Sequence, residues 1–158
     1  MLEELYGDQA DAIAVQLAWH FDEADLPEKA RHYLGVAGEH ARLRYANAEA
    51  LSYLNRALEL TPAADQVERY TLLLERQKVY DILADREAQR QDLEQLAALA
   101  QRLDDRRRQA EIALCQAPYA DHIAEYHELI HYAQRAIELA VTSQGVEQEA
   151  KGYLHWGR

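Results

Sequence analysis

Only three prolines, Pro27, Pro62 and Pro118, interrupt the 158 residues of this sequence. Glycine is also scarce, with six residues, and alanine, leucine, glutamate, glutamine and arginine dominate the composition. These residues lose little side-chain freedom in a helix, whereas the valine, isoleucine, threonine and phenylalanine that favour strands are sparse. The composition therefore predicts an all-α fold, and hydrophobic residues, which make up 49% of the chain, suffice for a packed core.

Apolar residues recur at the helical period in segments that short turns separate. Pro27 fits the first turn of a helix, Asn47 can cap the next helix, and Pro62 stops it. The predicted helices cover about residues 8–23, 27–44, 47–60, 65–84 and 86–103, then a stretch from 104, residues 126–141 and a stretch from 146. We expect about seven or eight helices in a single domain over residues 1–158. Because the last predicted helix breaks off at the end of the sequence, we also expect a fragment of a longer, multidomain protein.

Small residues occur where two of these helices would cross. Over residues 31–62, Gly38 lies in one helix and Ala50 and Ala57 lie in the next. Antiparallel helices approach closely only where such small residues meet, and leucines beside them fill the grooves. A similar pattern covers residues 110–140. Successive hairpins are therefore predicted to pack on one another.

The spacing of helix starts indicates a repeat. Turn positions Asn47, Arg86 and Tyr126 are separated by 39 and 40 residues. The middle pair of helices fits this pattern worst, because Gln89 occupies the position where alanine is expected.

The layout of residues 31–62 resembles a tetratricopeptide repeat, with Leu34 where an aromatic residue is common and Ala41 where tyrosine is common. The whole chain is similar to the helical arrays of large bacterial signalling ATPases, including maltose-activator-like transcription regulators. That likeness is carried by residues 17–21, 27–30, 33–34, 37–39 and 45–50. The resemblance implies a right-handed α–α superhelix whose concave surface binds a protein or peptide. No phosphate-binding loop occurs in this sequence, so ATP chemistry would belong to other parts of such a protein.

The resemblance also implies which side chains line the concave surface. They belong to the first helix of two repeats and are His32, Gly35, Glu39 and Arg42, and Glu111, Leu114, Pro118 and Asp121. Tetratricopeptide domains that clamp a peptide's terminal carboxylate use a combination of lysine, arginine and asparagine here, and this surface, with Arg42 alone, lacks that combination. A basic or mixed apolar ligand would suit the surface better.

Acidic residues outnumber basic ones, 28 to 17, which gives a net charge of −11. Binding to nucleic acid requires neutralisation of phosphates, so this balance argues against a nucleic-acid partner and against anionic membranes. No segment has the apolar run of a membrane helix or the regions of a signal peptide, and we expect a cytoplasmic protein. The single cysteine, Cys115, allows no intrachain disulfide and is expected to be a small buried hydrophobic residue.

Residues 127–131 read His-Glu-Leu-Ile-His and match the HExxH pattern of zinc metallopeptidases. In that pattern two histidines one helical turn apart bind Zn²⁺, and the glutamate activates the bound water. The extended pattern needs glycine at the position of Gln134 and a third histidine at the position of Ile137, and neither is present. We therefore expect no catalytic residue, no cofactor and no metal site, with His127 and His131 as the weak candidates for metal ligands.

Helical periodicity gives a second reason for this expectation. The predicted inward stripe of this helix comprises Leu129, Ile130, Ala133, Ala136, Ile137 and Ala140. At about 100° per residue, His131 and Glu128 then point away from the core, and His127 lies on its flank.

These patterns favour a non-enzymatic module that presents a helical groove to a peptide, a protein or a neighbouring domain of the same parent chain. Two other functions stay open: a spacer or sensor arm of a signalling ATPase without binding activity of its own, and a zinc-dependent hydrolase that uses residues 127–131. The exposed ends of a helical array can also pair, which would give a weak homodimer.

Overall fold

A computed structural model describes the backbone of residues 2–143 and the side chains of residues 13–141. Within residues 2–143 the chain forms seven α-helices and no strand, so the predicted all-α fold is confirmed. The helices are α1 (Leu2–Glu23), α2 (Pro27–Leu43), α3 (Asn47–Leu60), α4 (Gln66–Leu83), α5 (Arg86–Arg102), α6 (Arg106–His122) and α7 (Tyr126–Ser143). The helix expected from Val146 onward lies outside the described residues. None of the described helices has the length and apolar character needed to cross a membrane.

Two compact units make up the chain, Met1–Asp85 with α1 to α4 and Arg86–Arg158 with α5 to α7. The division falls between α4 and α5, the pair of helices that fits the repeat pattern worst. The single domain over residues 1–158 stays a prediction.

Five of the turns between the described helices share one geometry. Each has a residue in the left-handed region, with φ between 48° and 60°, and these residues are Asp25, Tyr45, Ala84, Asp104 and Ala124. The amide of the following residue donates a hydrogen bond to the carbonyl five residues earlier, as from Glu125 to Ala120 at 2.9 Å. This is the Schellman turn, which satisfies carbonyl groups at a helix end. Glycine usually occupies its left-handed position, so the absence of glycine hid these turns in the sequence.

Two aspartates cap helices as their positions suggest, but Asn47 does not. Asp65 accepts a hydrogen bond from the Glu68 amide at 3.3 Å, and Asp105 accepts one from the Arg108 amide at 3.1 Å. The predicted cap at Asn47 is wrong, because α3 begins at this residue and its first backbone bond is accepted one residue earlier. The Asn47 side chain is thus already inside the helix, and its Oδ1 is buried without a hydrogen-bond partner.

The predicted close crossing of α2 and α3 is confirmed. Gly38 is buried, and a Cβ atom added to it would lie 2.6 Å from Cγ of Leu54. Ala50 and Ala57 of α3 are also completely buried. The missing methyl group at Gly38 therefore lets the two helix backbones approach each other while Leu54 fills the space between them.

Alternate helices of the first unit lie side by side and run parallel. Arg31 and Arg42 of α2 form ion pairs with Asp65 and Glu75 at the start and in the middle of α4, at 2.7 and 2.8 Å. The pairs follow the same order along both helices, which sets their direction. Between α1 and α3, the guanidinium of Arg56 binds the carboxylate of Asp22 at 2.9 Å. In this unit each helix thus packs on the next one and contacts the one after it.

The second unit packs α6 against both α5 and α7. The core of the α6–α7 hairpin consists of alanines, in keeping with the small-residue pattern, and comprises Ala110, Ala113, Ala117, Ala120, Ala133, Ala136 and Ala140. Helix α6 continues through Pro118 as far as His122 instead of ending there. Pro118 has no amide hydrogen, so the carbonyl of Leu114 loses its usual helical donor.

Substitution of Gly38 by alanine tests the crossing. Overpacking against Leu54 is expected to cost about 1–3 kcal/mol, which exceeds the roughly 1 kcal/mol by which alanine favours a helix. The free energy of unfolding, measured by urea denaturation, should therefore fall. Gly35→Ala is the matched control, because a Cβ atom added to Gly35 would lie 3.3 Å from its nearest neighbour, Cδ2 of Leu72, and so would clash less. An equal loss in both variants, or a gain at Gly38, would contradict the proposed contact.

Substitution of Ala124 by glycine tests the left-handed turns. The left-handed conformation costs an L-residue about 1–2 kcal/mol, and glycine avoids this cost. Glycine also increases the conformational entropy of the unfolded chain, which offsets part of the stabilisation. We expect the free energy of unfolding to rise by roughly 0.5–1 kcal/mol. Ala48→Gly, an exposed position inside α3, should instead lower it by up to about 1 kcal/mol. A loss of stability at Ala124 would count against the turn.

Candidate functional site

The first predicted groove set lies on the side of α2 that adjoins α4. His32 and Glu39 are exposed, whereas Gly35 and Arg42 are half-buried. Arg42 is held by Glu75, which also binds the ammonium group of Lys78 at 2.5 Å. The charge of Arg42 is thus largely compensated within the unit, and His32 and Glu39 are the members that face solvent.

The second predicted set belongs to α6, in the other unit. Glu111, Leu114 and Pro118 are half-buried and Asp121 is exposed. Neither this set nor the α2 set gathers into one enclosed site within its unit, so both stay predictions as ligand-binding residues. Cys115, next to Leu114, forms no disulfide and is half-buried, so the expectation of a buried residue is only partly met.

A pocket that the sequence reasoning missed lies between α1, α2 and α3. Its volume is about 180 Å³, and it is lined by Ala18, Trp19, Asp22, Leu34, Ser52, Tyr53 and Arg56. Trp19 is 63% exposed, an unusual position for the largest apolar side chain. The ion pair between Asp22 and Arg56 closes one side. In the sequence Trp19 directly follows Ala18, and nothing in the local pattern indicates that it lies beside Tyr53 of α3.

A second pocket, which we call the tyrosine groove, lies between the three helices of the second unit. It has a volume of about 180 Å³ and is lined by Arg90, Leu93, Glu94, Gln116, Tyr119, Ala120, Ile123, Glu128 and Tyr132. Two phenol rings and the side chains of Leu93 and Ile123 provide apolar surface. The carboxylates of Glu94 and Glu128 provide negative charge. This combination suits a ligand that is both apolar and basic.

Both phenols of the groove are harder to ionise than an ordinary tyrosine. Burial raises the pKa of Tyr119 and of Tyr132, because a phenolate loses its hydration there. At Tyr132 the carboxylate of Glu128 raises the pKa further, by its charge and by a hydrogen bond with the phenol. The glutamate of the HExxH pattern is therefore engaged with a tyrosine of the groove.

The cationic side chain of the groove is already paired. Arg90 binds Glu87 at 2.7 Å and Glu94 at 2.5 Å. The hydrogen bonds to these two carboxylates raise the pKa of Arg90 above its ordinary value, and the hydrogen bond from Arg90 lowers the pKa of Glu87. The lining of the groove has one positive group, Arg90, and two negative groups, Glu94 and Glu128, so its rim has an excess of negative charge.

The two histidines of the HExxH pattern lie on an exposed strip of α7, and His131 also lines a pocket of about 180 Å³ with residues of α5 and α6, among them Ala97 and Ile112. His127, Glu128 and His131 are exposed, as their periodicity predicts. The predicted inward orientation of Ile130 is wrong, because its side chain is 44% exposed, and the buried residues of α7 are Ala133, Ala136 and Ala140. Among the side chains of residues 13–141, no three histidine, cysteine, aspartate or glutamate residues lie close enough together to hold a metal ion.

Titration of Tyr132 tests the contact with Glu128. In Glu128→Gln the pKa of Tyr132 should fall part of the way toward the ordinary tyrosine value of about 10, because the carboxylate of Glu128 no longer opposes the phenolate, whereas burial and the charge of Glu94 still do. Since the folded-state pKa is raised, stability is complete below the ordinary value and declines as pH rises above it, and this decline should be smaller in the variant. Tyrosinate absorbance, with Tyr132→Phe to identify the band, provides the measurement.

The matched control for this titration is Glu125→Gln, which removes an exposed carboxylate nearby in the sequence. An equal shift in both variants would show that the overall charge of the protein, and not the contact with Glu128, raises the pKa of Tyr132.

Neither the protein-family models nor the curated proteins compared with the sequence match it.

Proposed function

We propose that the chain is a helical-repeat module of the tetratricopeptide type that binds a peptide segment of another protein or of a neighbouring domain. The observation that carries this proposal is the pairing of alternate helices in the first unit. The ion pairs of Asp22 with Arg56, of Arg31 with Asp65 and of Arg42 with Glu75 join residues 34, 34 and 33 positions apart. Alternate helices that lie side by side and run parallel are what stacked helical hairpins produce. The helix starts at Asn47, Arg86 and Tyr126 recur every 39 and 40 residues, which is longer than the 34 residues of a tetratricopeptide repeat and corresponds to longer helices.

The small-residue crossing of α2 and α3 supports the same proposal. Stacked hairpins need one close helix pair in each repeat, and Gly38 and Leu54 form such a pair. In a solenoid built in this way, an equivalent exposed surface recurs in each repeat. Side chains on these surfaces can bind an extended peptide at several points along its length. The resemblance to the arrays of signalling ATPases fits a cytoplasmic module of this type, without a catalytic or cofactor role.

The tyrosine groove is the surface we propose for the ligand. Tyrosine offers a large rigid contact area with a polar end, and it is enriched at binding sites. The acidic rim and the net charge of −11 favour a basic partner and disfavour nucleic acid. We therefore propose a peptide in which apolar residues alternate with lysine or arginine.

Two synthetic peptides of equal length and equal apolar pattern test this proposal, one with lysine and one with glutamate at the polar positions. We expect calorimetry at low ionic strength to detect binding of the lysine peptide alone, and added salt to weaken it. Tyr132→Ala should weaken binding about tenfold, or roughly 1.4 kcal/mol, whereas Tyr132→Phe should have a small effect. Trp19→Ala, in the other unit, is the control that should bind normally.

Equal binding of both peptides, or unchanged binding by Tyr132→Ala, would contradict the groove. Absence of binding by either peptide would favour the spacer or sensor arm instead.

A further inference from the structure

His127 and His131 are one helical turn apart on the exposed side of α7. Four residues correspond to a rise of about 6 Å along an α-helix and a rotation of about 40°, so both imidazoles project from the same strip. Both side chains are exposed, and the buried Ala133, Ala136 and Ala140 lie on the opposite side of the helix. Two imidazole nitrogens in this arrangement can reach one metal ion at bond lengths of about 2.0–2.1 Å.

We propose that His127 and His131 form a two-histidine chelate for a late first-row divalent cation such as Ni²⁺, Cu²⁺ or Zn²⁺. Imidazole is a preferred ligand of these ions, and binding strengthens from Ni²⁺ to Cu²⁺. Neither histidine lines the tyrosine groove, so the chelate is a separate site, although His131 adjoins it through Tyr132.

Neighbouring side chains set the character of this chelate. The edge of the His131 ring packs against the ring of Tyr132, with centroids 5.6 Å apart, and this contact restricts the orientation of the imidazole. Among residues 13–141, no third histidine, cysteine, aspartate or glutamate groups with these two closely enough to hold a metal ion. A cation bound here therefore keeps water in its other positions.

Two charge effects act on the site in opposite directions. The net charge of −11 raises the concentration of cations near the surface. Arg135, one turn beyond His131, repels them locally, but α7 is exposed here and solvent screens that repulsion. The arrangement therefore binds a metal through the spacing of its two ligands.

Calorimetric titration of the untagged full chain with NiCl₂ tests the proposal. We expect one Ni²⁺ per chain at this site, and a loss of affinity of about tenfold or more in either His127→Gln or His131→Gln, because chelation makes the second bond intramolecular. His122→Gln, which removes an exposed histidine at the end of α6, is the control that should bind normally. Circular dichroism confirms that each variant is folded.

The double variant His127→Gln/Arg135→His restores two histidines four residues apart and should recover the affinity. Unchanged Ni²⁺ binding in both single variants would overturn the proposal. Equal affinity of the urea-unfolded chain would also overturn it, because the chelate depends on the helix.

Discussion

The contact between Gly38 and Leu54 determines how closely α2 and α3 can pack, and α2 also contacts α1 and α4. A side chain at Gly38 would push Leu54 away and move α2 relative to its neighbours. The ion pairs that Arg31 and Arg42 make with α4 depend on the position of α2 in turn. One missing methyl group thus underlies the lateral order of these helices, since close packing transmits small displacements.

Most of the helical fold was predictable from local signals. The starts of α3, α5 and α7 at Asn47, Arg86 and Tyr126 agree with the turn positions of the sequence, and the small residues of the crossings are buried as expected. The errors concern features one residue in size. Asn47 lies inside its helix instead of before it, and the left-handed positions are filled by residues such as Ala124 that do not mark such a turn. The type of a single side chain indicates only a conformational preference, whereas the backbone hydrogen bonds of the whole turn determine where a helix begins and ends.

The candidate site was much less predictable. Periodicity assigns a residue to one face of its own helix, and it correctly predicted that His127 and His131 are exposed. It contains no information on which helices meet. It therefore could not predict that Tyr119 and Tyr132 line one groove or that Trp19 and Tyr53 line one pocket. The inward assignment of Ile130 failed for a related reason, because the buried side of α7, formed by Ala133, Ala136 and Ala140, is narrower than the apolar stripe of the sequence.

The paired state of Arg90 has a consequence for selectivity. A lysine or arginine that enters the tyrosine groove finds the carboxylate of Glu94 already occupied by Arg90, so it must share that carboxylate or displace the resident guanidinium. Exchange of one ion pair for another yields little net free energy, since one cation is solvated as the other is desolvated. The negative charge of the groove would then serve mainly to exclude acidic peptides. Selectivity among basic peptides would depend on how well their apolar side chains fit against the rings of Tyr119 and Tyr132.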